Sequence, residues 1–460
     1  MIQEELVALI KSKVIDELSK NENQNSDLGI FDTIDEAVQA AKSAQKKLCL
    51  LDLEKREVII AAIRKVCLDN AALFARLSVE ESGMGRVDDK VAKLILAAKK
   101  TPGTEDLVPS VQTGDNGLTL IEQGPFGVIA AITPVTNPIA TIINNSIGMI
   151  AGGNTVVVNP HPRAVNVSIK VIELINDAIS KVGGPKNLIC TVKEPTIKTS
   201  QQLMSHPDIK MIVATGGPGV VKAALSSGKK AIGAGAGNPP VIVDESADIE
   251  KAAHDIVAGA SFDNNLPCIA EKVVILVESI AEEFMNCLKK QSVYLLNDTE
   301  TSDLVEKIIV DGAVNKALVG KDAAYILNQI EVKPISDVKL LIMQVDKDHP
   351  MVYLEQLMPV LPIVTVSNID EAIELAVKCE QGNRHTAIMH SKNVDNMTKY
   401  AKAIETTIFV KNGPSYAGIG MGGEGFTTFT IAGPTGEGLT SARTFTRKRR
   451  CTLVDGFRIV

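Results

Sequence analysis

The 460-residue chain has no Cys-x-x-Cys pair and no histidine cluster at metal-ligand spacing. Its cysteines, Cys49, Cys67, Cys190, Cys268, Cys287, Cys379 and Cys451, stand apart from one another. No metal site and no disulfide framework are therefore expected. Isolated thiols suit a reducing compartment, and one of them is a candidate nucleophile. No apolar run reaches the roughly 18 residues of a membrane span. The N-terminus lacks the basic stretch, continuous apolar core and small-residue cleavage site of a secretory signal. A cytoplasmic protein is expected. An excess of positive charge is missing too: 55 acidic against 48 basic residues give a formal charge of -7, which argues against nucleic acid as a partner. The short basic run Arg447-Lys448-Arg449-Arg450 alternates into apolar residues and is read as a solvated face.

A chain of this length exceeds the size at which one core stops growing, so two sizeable domains are expected. Residues 1–20 place Ile2, Leu6, Leu9, Ile10, Val14 and Leu18 at helical spacing, which reads as an amphipathic helix. The polar tract Asn21-Glu22-Asn23-Gln24-Asn25-Ser26 after it reads as a linker. The helix either docks on a partner or packs on its own globule. From residue 33 to residue 98 the pattern is helical, with a break at Gly83-Met84-Gly85. Strand-like runs follow at 118–122, 127–132, 155–159, 209–214, 240–243 and 272–277, with helical segments near 165–181, 199–205 and 219–228. A second cycle from about 300 to 410 has strands near 360–366 and 407–410. Strands alternating with helices predict α/β architecture with mostly parallel, doubly wound sheets.

Thr215-Gly216-Gly217-Pro218-Gly219 joins a predicted strand to a predicted helix, the place where backbone N–H groups receive a dinucleotide phosphate. A structural connection explains such a turn equally well. The cluster Gly233-Ala234-Gly235-Ala236-Gly237-Asn238-Pro239-Pro240 permits close backbone approach and also suits a domain crossover. Cys268 closes the polar, turn-rich stretch Ser261-Phe262-Asp263-Asn264-Asn265-Leu266-Pro267-Cys268. The other cysteines fall inside helical or apolar patterns, where a thiol behaves as a small inert hydrophobe.

With Thr133-Pro134-Val135-Thr136-Asn137-Pro138 and Glu355-Gln356-Leu357-Met358-Pro359-Val360-Leu361-Pro362, these segments occur in the order of the aldehyde dehydrogenase superfamily, which the chain resembles from about residue 30 to its end. Asn159-Pro160-His161-Pro162, Gly233–Pro240, Phe262–Asn265 and the stretch from Pro434 to Phe445 look like the coenzyme A-acylating branch found in ethanolamine and propanediol utilisation. The resemblance implies two doubly wound α/β domains with a small β oligomerisation element. The dinucleotide-binding domain would take residues 31–236 and 430–445, with an oligomerisation segment near 105–123. The catalytic domain would take 237–429, and 446–460 would form a C-terminal oligomerisation strand after the 1–20 helix and 21–30 linker.

The chemistry implied by the resemblance is oxidation of a short aliphatic aldehyde, acetaldehyde or propionaldehyde, with NAD. The Cys268 thiolate attacks the carbonyl, Asn137 and the Cys268 backbone N–H hold the developing oxyanion, and a thioester passes to coenzyme A. By the same resemblance Thr133, Pro134, Asn159, His161, Thr215, Gly216, Gly217, Gly235, Glu355 and Leu357 line the cofactor site, with Glu355 at the nicotinamide ribose and Leu357 in place of the usual aromatic. Hydrolytic relatives carry a general-base glutamate where this chain has Gly233–Asn238. Without that base, thioester attack by water is slow and a thiol is the better nucleophile. A hydrolytic enzyme and an inactive shell-associated scaffold are the alternatives. The N-terminal helix and linker look like the segments that direct relatives into bacterial microcompartments, with shell proteins as partners. A homo-oligomer is expected, dimer or tetramer.

Overall fold

The computed structural model describes residues 28–333 and 337–460. The predicted helix at 1–20 and most of the linker lie outside the described residues. The last residue assigned to the linker and the first assigned to the domain, Ile30–Phe31, form a short edge strand paired with Thr191 and Val192. Four helices follow, Ile34–Leu48, Leu53–Asp69, Ala71–Ser82 and Val87–Lys100. The break expected at Gly83 is present, with Gly83 as a left-handed cap at φ 68°.

Six parallel strands form the first sheet, in the order Ile30–Phe31, Ile189–Val192, Thr155–Asn159, Val128–Ile132, Ile209–Thr215, Lys230–Ala234. The chain winds outward from Val128–Ile132 in one direction and then returns to lay Ile209–Thr215 on its other side. Alternate residues of the central strand feed two separate cores. Ile129 and Ala131 pack with helices Leu53–Asp69, Pro138–Ala151 and Val165–Lys181, while Val128, Ala130 and Ile132 face Ile34–Leu48 and Ile197–Ser205. Burial on both faces explains why these strands read as continuous apolar runs.

The second sheet has seven parallel strands, in the order Val293–Leu295, Leu340–Gln344, Val360–Val366, Val273–Val277, Pro240–Val243, Thr386–His390, Ile408–Lys411. Val274 and Leu276 point into the core beneath Ile249–Ser261, and Val273 and Ile275 into the core beneath Ile369–Glu380. The cluster around Gly235 carries the chain from the last strand of the first sheet, Lys230–Ala234, to Pro240–Val243 of the second.

A separate antiparallel sheet joins Ser110–Gly114, Gly117–Pro125 and Thr446–Val454. The basic run lies on its last strand, exposed, with Arg449 opposite Glu122 in register. Residues 455–460 belong to no strand. Among the described residues no helix is long and apolar enough to cross a membrane. No group of metal-binding side chains occurs among them either.

Candidate active site

The carboxyl edge of the first sheet faces the amino edge of the second across a cavity of about 920 Å³. Thr133, Pro134 and Asn137 follow strand Val128–Ile132; Asn159 and His161 sit at the end of Thr155–Asn159 and just past it. Thr215, Gly216 and Gly217 close Ile209–Thr215, and Gly235 follows Lys230–Ala234. The chain reverses direction between the first and third of these strands, so the crevice lies where open α/β sheets bind ligands. From the second sheet, Cys268 precedes Val273–Val277, and Glu355 and Leu357 precede the neighbouring Val360–Val366. Every predicted site residue lines this one cavity.

The end of the cavity bounded by the first sheet has open backbone and unsatisfied polar groups. Gly217 caps the helix Pro218–Leu225, and a Cβ there would meet nothing within 4 Å. The Thr133 hydroxyl is buried without a partner, an orphan that a bound polar group satisfies. The Asn159 side chain accepts from Thr199 Oγ1 at 2.7 Å. His161 Nδ1 accepts from the Arg163 N–H at 3.1 Å, and burial followed by the Arg163 charge lowers its pKa. His161 is half-buried in the cavity wall.

Three consecutive non-glycine residues ahead of Cys268 adopt left-handed backbone, Asp263 at φ 47°, Asn264 at 55° and Asn265 at 62°. Asx residues tolerate that region best, and here each is also pinned by its side chain. Asn264 Nδ2 donates to the Gly320 carbonyl at 3.0 Å and to Asp322 at 2.8 Å; Asn265 Nδ2 donates to the carbonyls of Ala260 at 2.8 Å and Glu271 at 3.0 Å. Beneath the loop, the buried Lys272 ammonium donates to the Asn265 carbonyl at 2.8 Å and to the Asn265 side chain. The polar, turn-rich stretch is thus a buried platform for the thiol, with Asp263, Asn264 and Asn265 all inaccessible to solvent.

Burial, and then the Glu355 carboxylate, push the Cys268 thiol up to about 12, against the opposing charge of Lys272. Burial likewise raises Glu355, which accepts from the Gly237 N–H at 3.1 Å. Glu355 is the one carboxylate lining the cavity among the described residues. Asn137 caps the helix Pro138–Ala151 without making the usual side-chain cap bond. Its Oδ1 instead accepts from the Lys93 ammonium.

Two groups escaped the sequence reading, Lys93 in the cavity wall and His385 behind it. Lys93 belongs to the inward stripe of helix Val87–Lys100 beside Leu94 and Ala97, and a lysine in an apolar stripe is the signal that could have exposed it. His385 lies at the amino end of Thr386–His390, its ring against Gly237 and its Nε2 buried without a partner. Burial lowers His385 to about 4. The expectation that the remaining cysteines are sequestered holds for Cys67, Cys190, Cys287 and Cys379; Cys49 and Cys451 are exposed. Cys49 falls at a helix end and Cys451 on a solvent-facing strand, where the apolar pattern has already lapsed.

The aldehyde dehydrogenase family model matches residues 13–430. An acetaldehyde dehydrogenase (acetylating) of Salmonella typhimurium is 51% identical over 441 residues, 94% of each chain. Among solved structures, a Rhodopseudomonas palustris propionaldehyde dehydrogenase with bound propionyl-CoA superposes with a TM-score of 0.92 at 53% identity, covering 93% of this chain and 96% of that one. A propionaldehyde dehydrogenase from the fucose utilisation bacterial microcompartment of Clostridium phytofermentans gives a TM-score of 0.93 at 54% identity, covering 94% of this chain and 100% of that one.

Proposed function

The chain belongs to the aldehyde dehydrogenase family, and from that premise we propose that it oxidises a short aliphatic aldehyde with NAD and transfers the acyl group from Cys268 to coenzyme A. The carrying observation is the cavity's polar inventory. Cys268 and Asn137 share it with a single carboxylate, Glu355, which is engaged by the Gly237 N–H.

The Cys268 thiolate adds to the aldehyde carbon. The Asn137 Nδ2 and the Cys268 backbone N–H receive the oxygen's developing charge, a placement in which one donor is worth about 2.7–4 kcal/mol. NAD, when bound, supplies the hydride acceptor. Thr133, Pro134, Asn159, His161, Thr215, Gly216, Gly217, Gly235, Glu355 and Leu357, which line the cavity, are the residues that would hold the dinucleotide. Loss of hydride from the hemithioacetal leaves a thioester on Cys268. The crossover Gly233–Asn238 offers no carboxylate to activate water, so a coenzyme A thiolate attacks instead, releasing acyl-coenzyme A and restoring the Cys268 thiolate. The hydrolytic alternative lacks a carboxylate at the crossover, and the scaffold alternative leaves the conjunction of thiol, amide and cradle unexplained.

The same reading takes residues 1–20 as a targeting helix into a microcompartment shell, supported by their amphipathic spacing and by the C. phytofermentans relative. The antiparallel sheet built from Ser110–Gly114, Gly117–Pro125 and Thr446–Val454 is the surface proposed for homo-oligomer formation. Removal of residues 1–20 is expected to leave turnover intact and abolish co-purification with shells.

The deciding experiment follows NADH formation from acetaldehyde or propanal with and without coenzyme A, in wild type and Cys268→Ala. Coenzyme A-dependent turnover with acyl-coenzyme A accumulating, and a silent variant, is the expected result. Equal turnover to free acid without coenzyme A identifies a hydrolytic enzyme, and no turnover with either aldehyde favours the scaffold.

A further inference from the structure

An asparagine that caps a helix normally spends its side-chain oxygen on the helix's own first amides. Asn137 does not, and its Oδ1 accepts from Lys93. Lys93 is buried, with its ammonium also bonded to the Asp263 carboxylate, which receives Lys90 Nζ at 3.1 Å as well. Asp263 in turn is fixed from two sides, accepting from the Arg86 N–H at 2.8 Å and donating its own N–H to Asp89 at 2.9 Å. Gly85 makes this possible, since a Cβ there would stand 2.1 Å from Asp263 Oδ1. One cation therefore links the loop after the first sheet's central strand to the loop that carries Cys268.

An ammonium has three donors and no acceptor, whereas the two ends of an amide are nearly equal in shape and opposite in hydrogen-bonding sense. Only Oδ1 can face Lys93. Nδ2 is then the end left over, and it makes no hydrogen bond to the described residues while Asn137 and Cys268 line the same cavity. With the amide reversed, a carbonyl oxygen would confront the developing oxyanion.

We propose that Lys93 is a positioning residue, whose donor-only ammonium, anchored by Asp263, fixes the orientation of the Asn137 amide and so keeps Nδ2 available to the oxyanion formed on Cys268. This rests on the reading of Asn137 as an oxyanion donor, and the test separates the two.

Lys93→Met keeps the aliphatic stem and removes the donors. In the full-length enzyme it is expected to lower kcat for NADH formation about 100-fold, the order of a lost oxyanion donor, with KM for NAD little changed. In an Asn137→Ala background the same substitution is expected to change kcat by less than about threefold, because residues acting as a unit are non-additive. Since Lys93→Met leaves a buried carboxylate with one partner fewer, Lys93→Met with Asp263→Asn is measured beside it, and thermal unfolding confirms that each variant is folded. The proposal is overturned if Lys93→Met costs the same factor with and without Asn137, or costs nothing. Wild-type rates in Asn137→Ala alone would instead overturn the oxyanion reading.

Discussion

Gly237 and Cys268 are packed so closely that a Cβ on Gly237 would stand 2.7 Å from the Cys268 carbonyl oxygen and 3.0 Å from the His385 ring. The contact ties the crossover between the two sheets to the loop that presents the thiol. The Gly237 N–H is spent on Glu355, so the starts of four neighbouring strands meet at one glycine.

Gly237→Ala should therefore impair the reaction more than the fold. The backbone at Gly237 does not need the left-handed region, and the obstacle is steric. Relief requires the Cys268 carbonyl or His385 to move, and overpacking of this kind costs about 1–3 kcal/mol. The expected outcome is a kcat at least tenfold lower, on the general sensitivity of catalysis to small misplacements, with a modest fall in melting temperature. Wild-type kinetics in this variant would show that the loop absorbs the methyl without moving the thiol.

Alkylation rates report the thiol directly. Burial and Glu355 hold Cys268 up to about 12, so its thiolate fraction grows tenfold per pH unit throughout the neutral and mildly alkaline range. Iodoacetamide labelling of Cys268, followed by peptide mass spectrometry in the absence of ligands, should rise log-linearly from pH 7 to 10. A plateau for Cys268 below pH 9 would mean that the free enzyme already stores a thiolate.

The two α/β cycles and the order of the site loops were legible because apolar runs such as Val128–Ile132 and Thr155–Asn159 are bounded by glycine and proline. Helix Pro138–Ala151 was not, since every residue in it is buried and an all-round apolar helix shows no period. Strands Ile189–Val192 and Thr386–His390 were not read either, although they are no shorter than Pro240–Val243 and Thr155–Asn159. At the site, the loops could be placed by motif, but the bracing could not. Lys93 meets Asp263 across 170 positions of chain, and a charge on a helix reads as solvated until its neighbours are known. Likewise, nothing local in Asp263-Asn264-Asn265 distinguishes a surface turn from a buried left-handed platform.

That platform makes a separable prediction at Asn264. Alanine removes both Nδ2 hydrogen bonds, to Gly320 and Asp322, and also places a side chain poorly suited to φ 55°. A loss of about 2–4 kcal/mol in chemical denaturation is expected. Glycine forfeits the same bonds without the left-handed strain, so Asn264→Gly should retain about 1 kcal/mol relative to Asn264→Ala. An alanine variant as stable as the glycine variant would exclude backbone strain as a component.

Glu271 provides a pH-dependent test of stability that is read without turnover. Its buried carboxyl accepts from the Ser415 N–H at 2.7 Å and hydroxyl at 2.8 Å, and burial raises it from 4.5 to about 7. The folded protein therefore keeps a proton that the unfolded chain releases between those values. Stability falls as pH rises through that window, and the full penalty stands above pH 7. At about 1.4 kcal/mol per pH unit, the penalty has an upper bound on the order of 3 kcal/mol. Glu271→Gln keeps an acceptor for the Ser415 N–H and a donor for its hydroxyl, while removing the titration. Urea denaturation midpoints at pH 5 and pH 8 should show the variant gaining on wild type as pH rises. Parallel behaviour at the two pH values would mean that Glu271 is charged in the folded protein and that its two Ser415 bonds suffice to hold the charge.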